Sequence, residues 1–359
     1  MFRKIGLAMV IVVAGIFSTN AAFAEKWRFA LEEVEGSVQD AYAQEFKKRI
    51  EKRSEGDISI DIYPHGALGT SPQLPELVRQ NAIQLAFASP DHLASTIPEA
   101  GVFSLHFLFS DDEEINEQVL ATTQARPLLE EAYQEQGLQP LSIISEGWAV
   151  WTANRAIETP EDMEGFKMRT MSSPIAQEAY RAYGAVPEPL VQAELRSGLQ
   201  SGQIEGQAST ASTIEEMNLY ERQSHLVQAR PAPVVTTLVA AQDFLAQLPE
   251  ERRAMIDDVT DDMRSFIFDR QAELNQQRLE AIEENSDIEM STLTEEQRQA
   301  FREKSLPVRD VYIEQAGERG KKILETLDKE LRAAQGKDDS GNEDDSADST
   351  KTEAASSPS

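Results

Sequence analysis

The sequence contains no cysteine at any of its 359 positions. Disulfides, thiolate metal sites and a lipid anchor on a cysteine at the start of the mature chain are therefore excluded. Basic residues are also scarce, with 34 Lys and Arg against 63 Asp and Glu. The resulting formal net charge of −29 disfavours nucleic-acid binding, because contacts to phosphates need a basic surface.

Such an acidic excess repels itself unless salt screens the charges, and the Debye length falls to about 3 Å at 1 M ionic strength. The composition fits a salt-loving source and an ordinary acidic secreted protein equally well.

Long apolar runs are absent after residue 24. Before it, Arg3 and Lys4 precede an apolar stretch from Ile5 to Phe17, and Ala22 to Ala24 form an A-x-A site. This pattern predicts a secretory signal peptide over residues 1–24. A transmembrane anchor is the alternative, but a helix from Ile5 to Phe17 is about 20 Å long, short of the roughly 30 Å hydrocarbon core. We expect a free periplasmic protein, whose net charge without Arg3 and Lys4 is −31.

A mature length of about 335 residues exceeds what one core organises, so two domains are expected. Helical spacing of apolar residues over Val38–Arg53 is followed by the alternating strand pattern of Ile58–Tyr63. The same order of helix and strand recurs at Gln73–Gln80 and Leu85–Ala88. Alternating elements of this kind predict an α/β fold with wound sheets.

A second series of elements begins at Leu141. Two strand-like segments precede a loop and the segment KMRTM, after which Ser173 and Pro174 have the character of an N-cap and a first helical residue. The second domain is therefore predicted to start near residue 149.

The C-terminal part from Pro249 to Pro307 contains no internal Pro or Gly, which predicts one very long helix or two abutting helices. Thr294 and Gln297 have the spacing of a capping box that starts a new helix. Residues 336–359 are acidic and polar with almost no apolar content, so we expect a disordered acidic tail. Its acidic run lacks the central Gly and terminal Glu of a calcium loop.

Signals of catalysis are missing. The four histidines have no metal-ligand spacing, and G-x-S-x-G, P-loop and G-x-G-x-x-G motifs do not occur. We therefore expect no enzyme activity, metal or cofactor. Arg169 does stand out, because it lies at the end of a predicted strand and a few residues before a helix start, where a guanidinium can bind a carboxylate. A surface arginine in an ion pair is the alternative.

Three segments carry a family resemblance: GFKMRTMSSP at 165–174, AYGAVPEPL at 182–190 and ELRSGLQSGQIEGQ at 194–207. They resemble the central signature of TRAP-transporter substrate-binding proteins of the DctP-like family. FKKRIEKRSEGDISIDIYPHGALG at 46–69 and TIPEAGVFSLHFLF at 96–109 resemble the family's N-terminal half. WRFALEEVEGSVQDAYAQEF at 27–46 is similar to the ectoine-binding members.

The resemblance implies a two-lobed periplasmic binding protein fold, with a ligand cleft between the lobes and a long C-terminal helix. We assign residues 25–148 and about 235–275 to lobe I, and residues 149–234 and about 276–335 to lobe II. The family implies that Arg169 binds the carboxylate of a small organic ligand, and that Glu33 holds a cationic end. It also implies delivery to TRAP membrane permease subunits, and we expect a monomer.

Several positions depart from the family pattern. Ser209 replaces an amide-bearing residue after Gln207, and Trp148 and Ala149 stand where many members carry a second Arg. Gln192 and His92 lie near positions that are aromatic in ectoine binders. The predicted substrate-binding residues are Arg169, Glu33, Ser209, Trp148, His92 and Gln207.

These positions favour an ectoine-like zwitterion or a monocarboxylate as the ligand. The alternatives are a C4-dicarboxylate-binding TRAP subunit, a secreted ligand sensor and a secreted α/β enzyme.

Overall fold

The computed structural model of the protein describes residues 24–336. The signal peptide expected in residues 1–24, apart from Ala24, and the tail expected in residues 336–359, apart from Gly336, lie outside the described residues. None of the helices between residues 24 and 336 combines the length and the apolar character needed to cross a bilayer.

Eleven strands are present in the described residues. They are β1 (Glu25–Ala30), β2 (Ile58–Tyr63), β3 (Leu85–Ala88), β4 (Leu138–Trp148), β5 (Val150–Ala153), β6 (Lys167–Thr170), β7 (Val186–Pro189), β8 (Gly206–Ser209), β9 (His225–Gln228), β10 (Pro233–Ala241) and β11 (Glu289–Thr292). They form a five-stranded sheet of order β2-β1-β3-β10-β4 and a six-stranded sheet of order β11-β9-β5-β8-β6-β7.

Twelve α-helices in residues 24–336 accompany the sheets. They are α1 (Val38–Arg53), α2 (Leu74–Arg79), α3 (Pro90–Leu93), α4 (Glu113–Thr122), α5 (Arg126–Gln134), α6 (Pro174–Ala182), α7 (Leu195–Ser201), α8 (Ala211–Glu216), α9 (Gln242–Gln247), α10 (Glu250–Asn285), α11 (Glu295–Ser305) and α12 (Val308–Ala334). The mixed α/β class predicted from the sequence is confirmed. We call the five-stranded sheet with its helices the first lobe and the six-stranded sheet with its helices the second lobe.

The first lobe is built on β1, which lies between β2 and β3 and runs parallel to both. Strand β10 returns from the second lobe and inserts antiparallel between β3 and β4. Beneath the sheet, α1 buries Tyr42, Phe46 and Ile50. Phe46 meets Phe29 of β1 edge to face, with ring centroids 5.8 Å apart. Helix α1 and strand β2 have the bounds that the apolar spacing predicted, since one face of each is buried.

The second lobe combines an antiparallel group with a parallel one. Strand β5 pairs antiparallel with β8 and β9, and β6 pairs parallel with β7 and β8. Its core includes Trp151, Phe166 and Phe301. The predicted helix start is confirmed, because the Ser173 hydroxyl accepts a hydrogen bond from the amide of Ala176, and Pro174 is the first residue of α6.

The lobes are joined where two strands cross from one sheet to the other. Strands β4 and β5 are separated by Ala149 alone, and residues 229–232 connect β9 to β10. The amide of Ala149 donates to the carbonyl of Ala232 at 3.0 Å, which ties the two connections together. Helix α10 also spans both lobes, with Met263 in the core of the first and Ile282 in the core of the second.

Gly147, just before the connection, has no room for a side chain. Its φ of +104° favours glycine, and a Cβ there would lie 2.3 Å from Asn275 Nδ2 on α10. The Asn275 amide in turn donates to the carbonyl of Glu146 at 2.7 Å. The long helix is therefore in direct contact with the backbone of the connection.

The C-terminal part differs from the prediction of one very long helix or two abutting helices. Helices α10 and α11 are separated by β11, which pairs parallel with β9 at the edge of the second sheet. The strand is short and polar, so it gives no apolar period to detect. The capping box of Thr294 and Gln297 at the start of α11 is confirmed.

Helix α12 changes direction at Gly317, whose φ is 64° and ψ −159°. Its apolar residues, including Tyr312, Ile323 and Leu327, pack in one core with Phe103, Leu120 and other residues of the first lobe. The sequence predicts lobe II for residues from about 276 to 335, whereas α12 packs mainly on the first lobe. The reason is that the apolar stripe of α12 fits a core built by residues 102–129.

Candidate functional site

A cavity lies between the lobes, beside the connecting strands. Its walls come from the first lobe, the two connections and the second lobe. The residues that line it are Pro90, Asp91, Phe103, Ser104 and His106; Ala149, Ala232, Pro233, Val234 and Val235; and Arg169, Thr170, Met171, Ala176, Tyr180 and Ala208. A molecule held there would touch both lobes at once.

Arg169 is the one Arg or Lys among these lining residues and is only 5 % exposed. Its Nε donates to the carbonyl of Leu190 at 3.0 Å, which fixes the guanidinium plane. Within residues 24–336, its terminal nitrogens have no hydrogen-bond partner and it forms no salt bridge. Burial lowers the pKa of Arg169 to about 10, and the charges of Glu33 and Asp91 oppose this shift. The side chain therefore carries a full positive charge at neutral pH and can present two parallel donors.

Asp91 lines the same cavity from the first lobe, at the start of α3. Its Oδ1 accepts a hydrogen bond from the Ser104 hydroxyl. Burial raises the pKa of Asp91, while hydrogen bonds from Ser104 and Ser173 and the charge of Arg169 lower it. The sequence gives no signal for Asp91, because nothing in SPDHL separates it from the many other carboxylates.

Aromatic side chains form part of the wall, although the sequence analysis judged the aromatic contacts of ectoine binders to be missing. Phe103, Tyr180 and His106 all line the cavity. Trp151 Nε1 donates to the Tyr180 hydroxyl at 3.1 Å, and His106 Nδ1 lies 2.9 Å from the Tyr183 hydroxyl. Burial lowers the pKa of His106 to about 3, so the imidazole is neutral at neutral pH. No sequence signal points to Tyr180, because it enters the cavity through the packing of α6.

Glu33 forms a bridge between the lobes and does not line this cavity. Its Oε2 accepts hydrogen bonds from Thr213 Oγ1 at 2.9 Å and from Gln192 Nε2 at 3.1 Å, both in the second lobe. Burial raises the pKa of Glu33, and these two hydrogen bonds and the charges of His65 and Arg169 oppose the rise. Glu33 thus acts on Arg169 through its charge while its Oε2 holds the lobes together.

His92 lies in the same contact between the lobes. Its Nδ1 is 3.1 Å from the hydroxyl of Ser172, which itself donates to the carbonyl of Asp91 at 3.2 Å. Ser173 Oγ donates to Ser104 Oγ at 2.9 Å nearby. Burial, with a contribution from Arg169, lowers the pKa of His92 to about 4. Hydrogen bonds between the two lobes therefore close the cleft at Ser172 and at Ser173.

The other three predicted site residues do not line the cavity with Arg169. Gln207 is fully buried, donates to Thr152 Oγ1 at 3.0 Å and accepts from the Ser209 hydroxyl. Trp148 lines a separate cavity bounded by α4, β4 and α10. No cluster of His, Asp and Glu in residues 24–336 is arranged to hold a metal ion.

Two α/β lobes, two crossing connections and a buried arginine in the cavity between them define a two-lobed solute-binding protein. The family model described as "Bacterial extracellular solute-binding protein, family 7" matches residues 29–315. The chain belongs to this family, the DctP-type substrate-binding proteins of TRAP transporters, as its sequence motifs predicted.

Relatives within the family agree over nearly the whole chain. The ectoine-binding periplasmic protein TeaA of Halomonas elongata is 34% identical over 88% of this chain and 93% of its own length. The ectoine/5-hydroxyectoine-binding periplasmic protein UehA of Ruegeria pomeroyi is 30% identical over 92% of this chain and 97% of its own length. A TRAP periplasmic solute-binding protein of Marinobacter aquaeolei, solved in an open form without ligand, is 42% identical with a TM-score of 0.81, covering 84% of this chain and 99% of that one.

Proposed function

We propose that the mature protein captures a small periplasmic solute with a single carboxylate and delivers it to the membrane subunits of a TRAP transporter. The observation that carries this proposal is the buried guanidinium of Arg169, which has no carboxylate partner within residues 24–336 and lines a cavity between the lobes. Burying the positive charge of Arg169 costs free energy unless an anion pairs with it. A ligand carboxylate is the anion that fits a planar pair of donors.

The class of ligand follows from what surrounds Arg169. One guanidinium suffices for one carboxylate, and the lining residues include no second Arg or Lys. Asp91 adds negative charge within the cavity near Arg169, which favours a cationic or N–H-bearing group at the other end of the ligand. Phe103 and Tyr180 supply ring faces that attract a delocalised cation. An ectoine-like zwitterion therefore suits the cavity best, followed by a monocarboxylate.

Location in the periplasm is supported by the signal pattern of residues 1–24 and by relatives that are named periplasmic proteins. Catalysis is not part of the proposal. The imidazole of His106 is neutral and pairs with the Tyr183 hydroxyl. We expect the protein to act as a monomer.

A thermal-shift screen of the mature chain, followed by calorimetry, tests this proposal. Ectoine, 5-hydroxyectoine, glycine betaine, pyruvate, succinate and malate are compared at equal concentration. We expect the largest rise in melting temperature with ectoine or another zwitterion, and little or none with the two dicarboxylates. If succinate or malate gave the largest rise, with micromolar affinity by calorimetry, the assignment to one carboxylate would be wrong. Native mass spectrometry of protein taken from its own periplasm identifies the natural ligand.

A further inference from the structure

We infer that Asp91 is a selectivity residue that rejects ligands with a second carboxylate. The inference rests on the proposed function, because it concerns the same cavity. No motif or family resemblance assigns a role to this position. Asp91 and Arg169 are opposite charges that line one cavity from different lobes, Asp91 from the first and Arg169 from the second.

The Asp91 carboxylate is held in place from both sides of the cleft. The Ser104 hydroxyl of the first lobe donates to its Oδ1. The Ser173 hydroxyl of the second lobe donates to Ser104 Oγ and also caps α6. Asp91 is the second residue of α3, and its amide donates to Ser89 Oγ at 3.2 Å. Both the backbone and the carboxylate of Asp91 are thus held by hydrogen bonds that oppose its movement away from a second anion.

The charges in the cavity give the selection rule. When a ligand carboxylate binds Arg169, one positive and two negative groups share the cavity. A second carboxylate on the ligand would add a third negative charge without adding a cation. Like charges at short range in a poorly solvated cavity repel strongly, so that ligand is disfavoured. An amide or a cationic nitrogen in the same place could instead donate toward Asp91.

Glu33 provides a contrast, because it lies outside the cavity lining and uses Oε2 to bind Gln192 and Thr213 across the cleft. Neutralising Glu33 weakens a contact that every closed complex needs. Its loss is expected to lower the affinity for all ligands by a similar factor. Neutralising Asp91 is expected to change the affinity of one ligand relative to another.

The test uses a matched pair of probes, succinate and succinamate, which differ only in whether the second end is a carboxylate or an amide. Their dissociation constants, and that of ectoine, are measured by calorimetry for the wild type, Asp91→Asn and the control Glu33→Gln. Asparagine keeps an oxygen that accepts from Ser104. We expect the wild type to prefer succinamate, Asp91→Asn to reduce this preference about tenfold or more, and Glu33→Gln to leave the ratio unchanged.

An unchanged ratio in Asp91→Asn, with the wild type binding normally, overturns the role of Asp91 and leaves the proposed function standing. A wild type that prefers succinate also overturns it. If the wild type bound neither succinate, succinamate nor ectoine, both the proposed function and the role of Asp91 would be wrong. If Asp91→Asn did not fold, Asp91→Ser, which is neutral and smaller, would be measured in the same way.

Discussion

Replacing Arg169 should abolish ligand binding while leaving the fold nearly intact. Within residues 24–336, only Nε of the guanidinium forms a hydrogen bond, to the carbonyl of Leu190 at 3.0 Å. The terminal nitrogens can therefore bind a ligand. Truncation to alanine removes a buried charge-assisted pair, which costs about 2–5 kcal/mol, or roughly 30-fold to several-thousand-fold in affinity. Arg169→Lys keeps the charge but loses the paired donors, which costs about 1.5–3 kcal/mol, or about 10- to 150-fold.

The stability of the free protein should respond in a different way. Burial lowers the pKa of Arg169 to about 10, so the folded protein already holds this charge at a cost. Replacing Arg169 by alanine removes the free-energy cost of the buried charge and also removes one hydrogen bond, which contributes about 1 kcal/mol. The melting temperature without ligand should therefore change little. A ligand at 100 times its dissociation constant stabilises the wild type by about 2.7 kcal/mol, and this gain should vanish in Arg169→Ala.

Calorimetry and thermal melting with and without ligand measure both effects. The control is Arg155→Ala, which removes an exposed arginine of the same lobe that lies over the ring of Phe166, 4.8 Å from its centroid. We expect its affinity to stay within about twofold of the wild type, as for surface substitutions in general. If Arg169→Ala bound ligand as well as Arg155→Ala does, Arg169 would have no role in the site.

Three further predictions concern pH, motion and the tail. Burial, and next the charge of Glu33, raises the pKa of Glu146 to about 8. The stability that its protonated form contributes is complete below about pH 4.5 and is lost as the pH rises through about 8. Glu146→Gln should therefore melt like the wild type near pH 4.5 but at a higher temperature near pH 8.5, and equal melting at both would contradict the shift. Ligand should compact the molecule in small-angle scattering by closing the lobes about Ala149 and residues 229–232, so an unchanged profile at saturation would argue against a hinge. Deleting residues 337–359 should leave affinity and melting temperature unaltered, because the segment offers almost no apolar groups, and a drop of several degrees would mean that it docks.

Local patterns predicted the regular elements well. Helix α1 and strands β2 and β3 appear with the predicted bounds, because each buries one face or lies wholly in a core. Ser173 and Pro174 likewise start α6, since capping depends on a few adjacent residues. Strand β11 was not predicted, because EMST is polar and too short to show an alternation of apolar and polar residues.

The cavity could be predicted only in part. Arg169 was recognisable because its place near the end of a strand, shortly before a helix start, is a local feature that the family shares. Asp91, Phe103 and Tyr180 reach the same cavity from three separate elements, and only the packing of the lobes brings them together. Trp148 was expected there as well, but it lines a separate cavity beside α10.

The 36-residue helix α10 also determines how the protein unfolds. At 1.5 Å per residue it is about 54 Å long, and it contributes Met263 to one core and Ile282 to the other. If one lobe unfolded together with α10, the core of the other lobe would lose the apolar side chains that α10 contributes to it. The two lobes should therefore unfold in a single cooperative transition, even though they move as separate bodies during ligand capture. A solute held between them then protects the entire chain from unfolding, and with it from the proteases of the compartment in which it works.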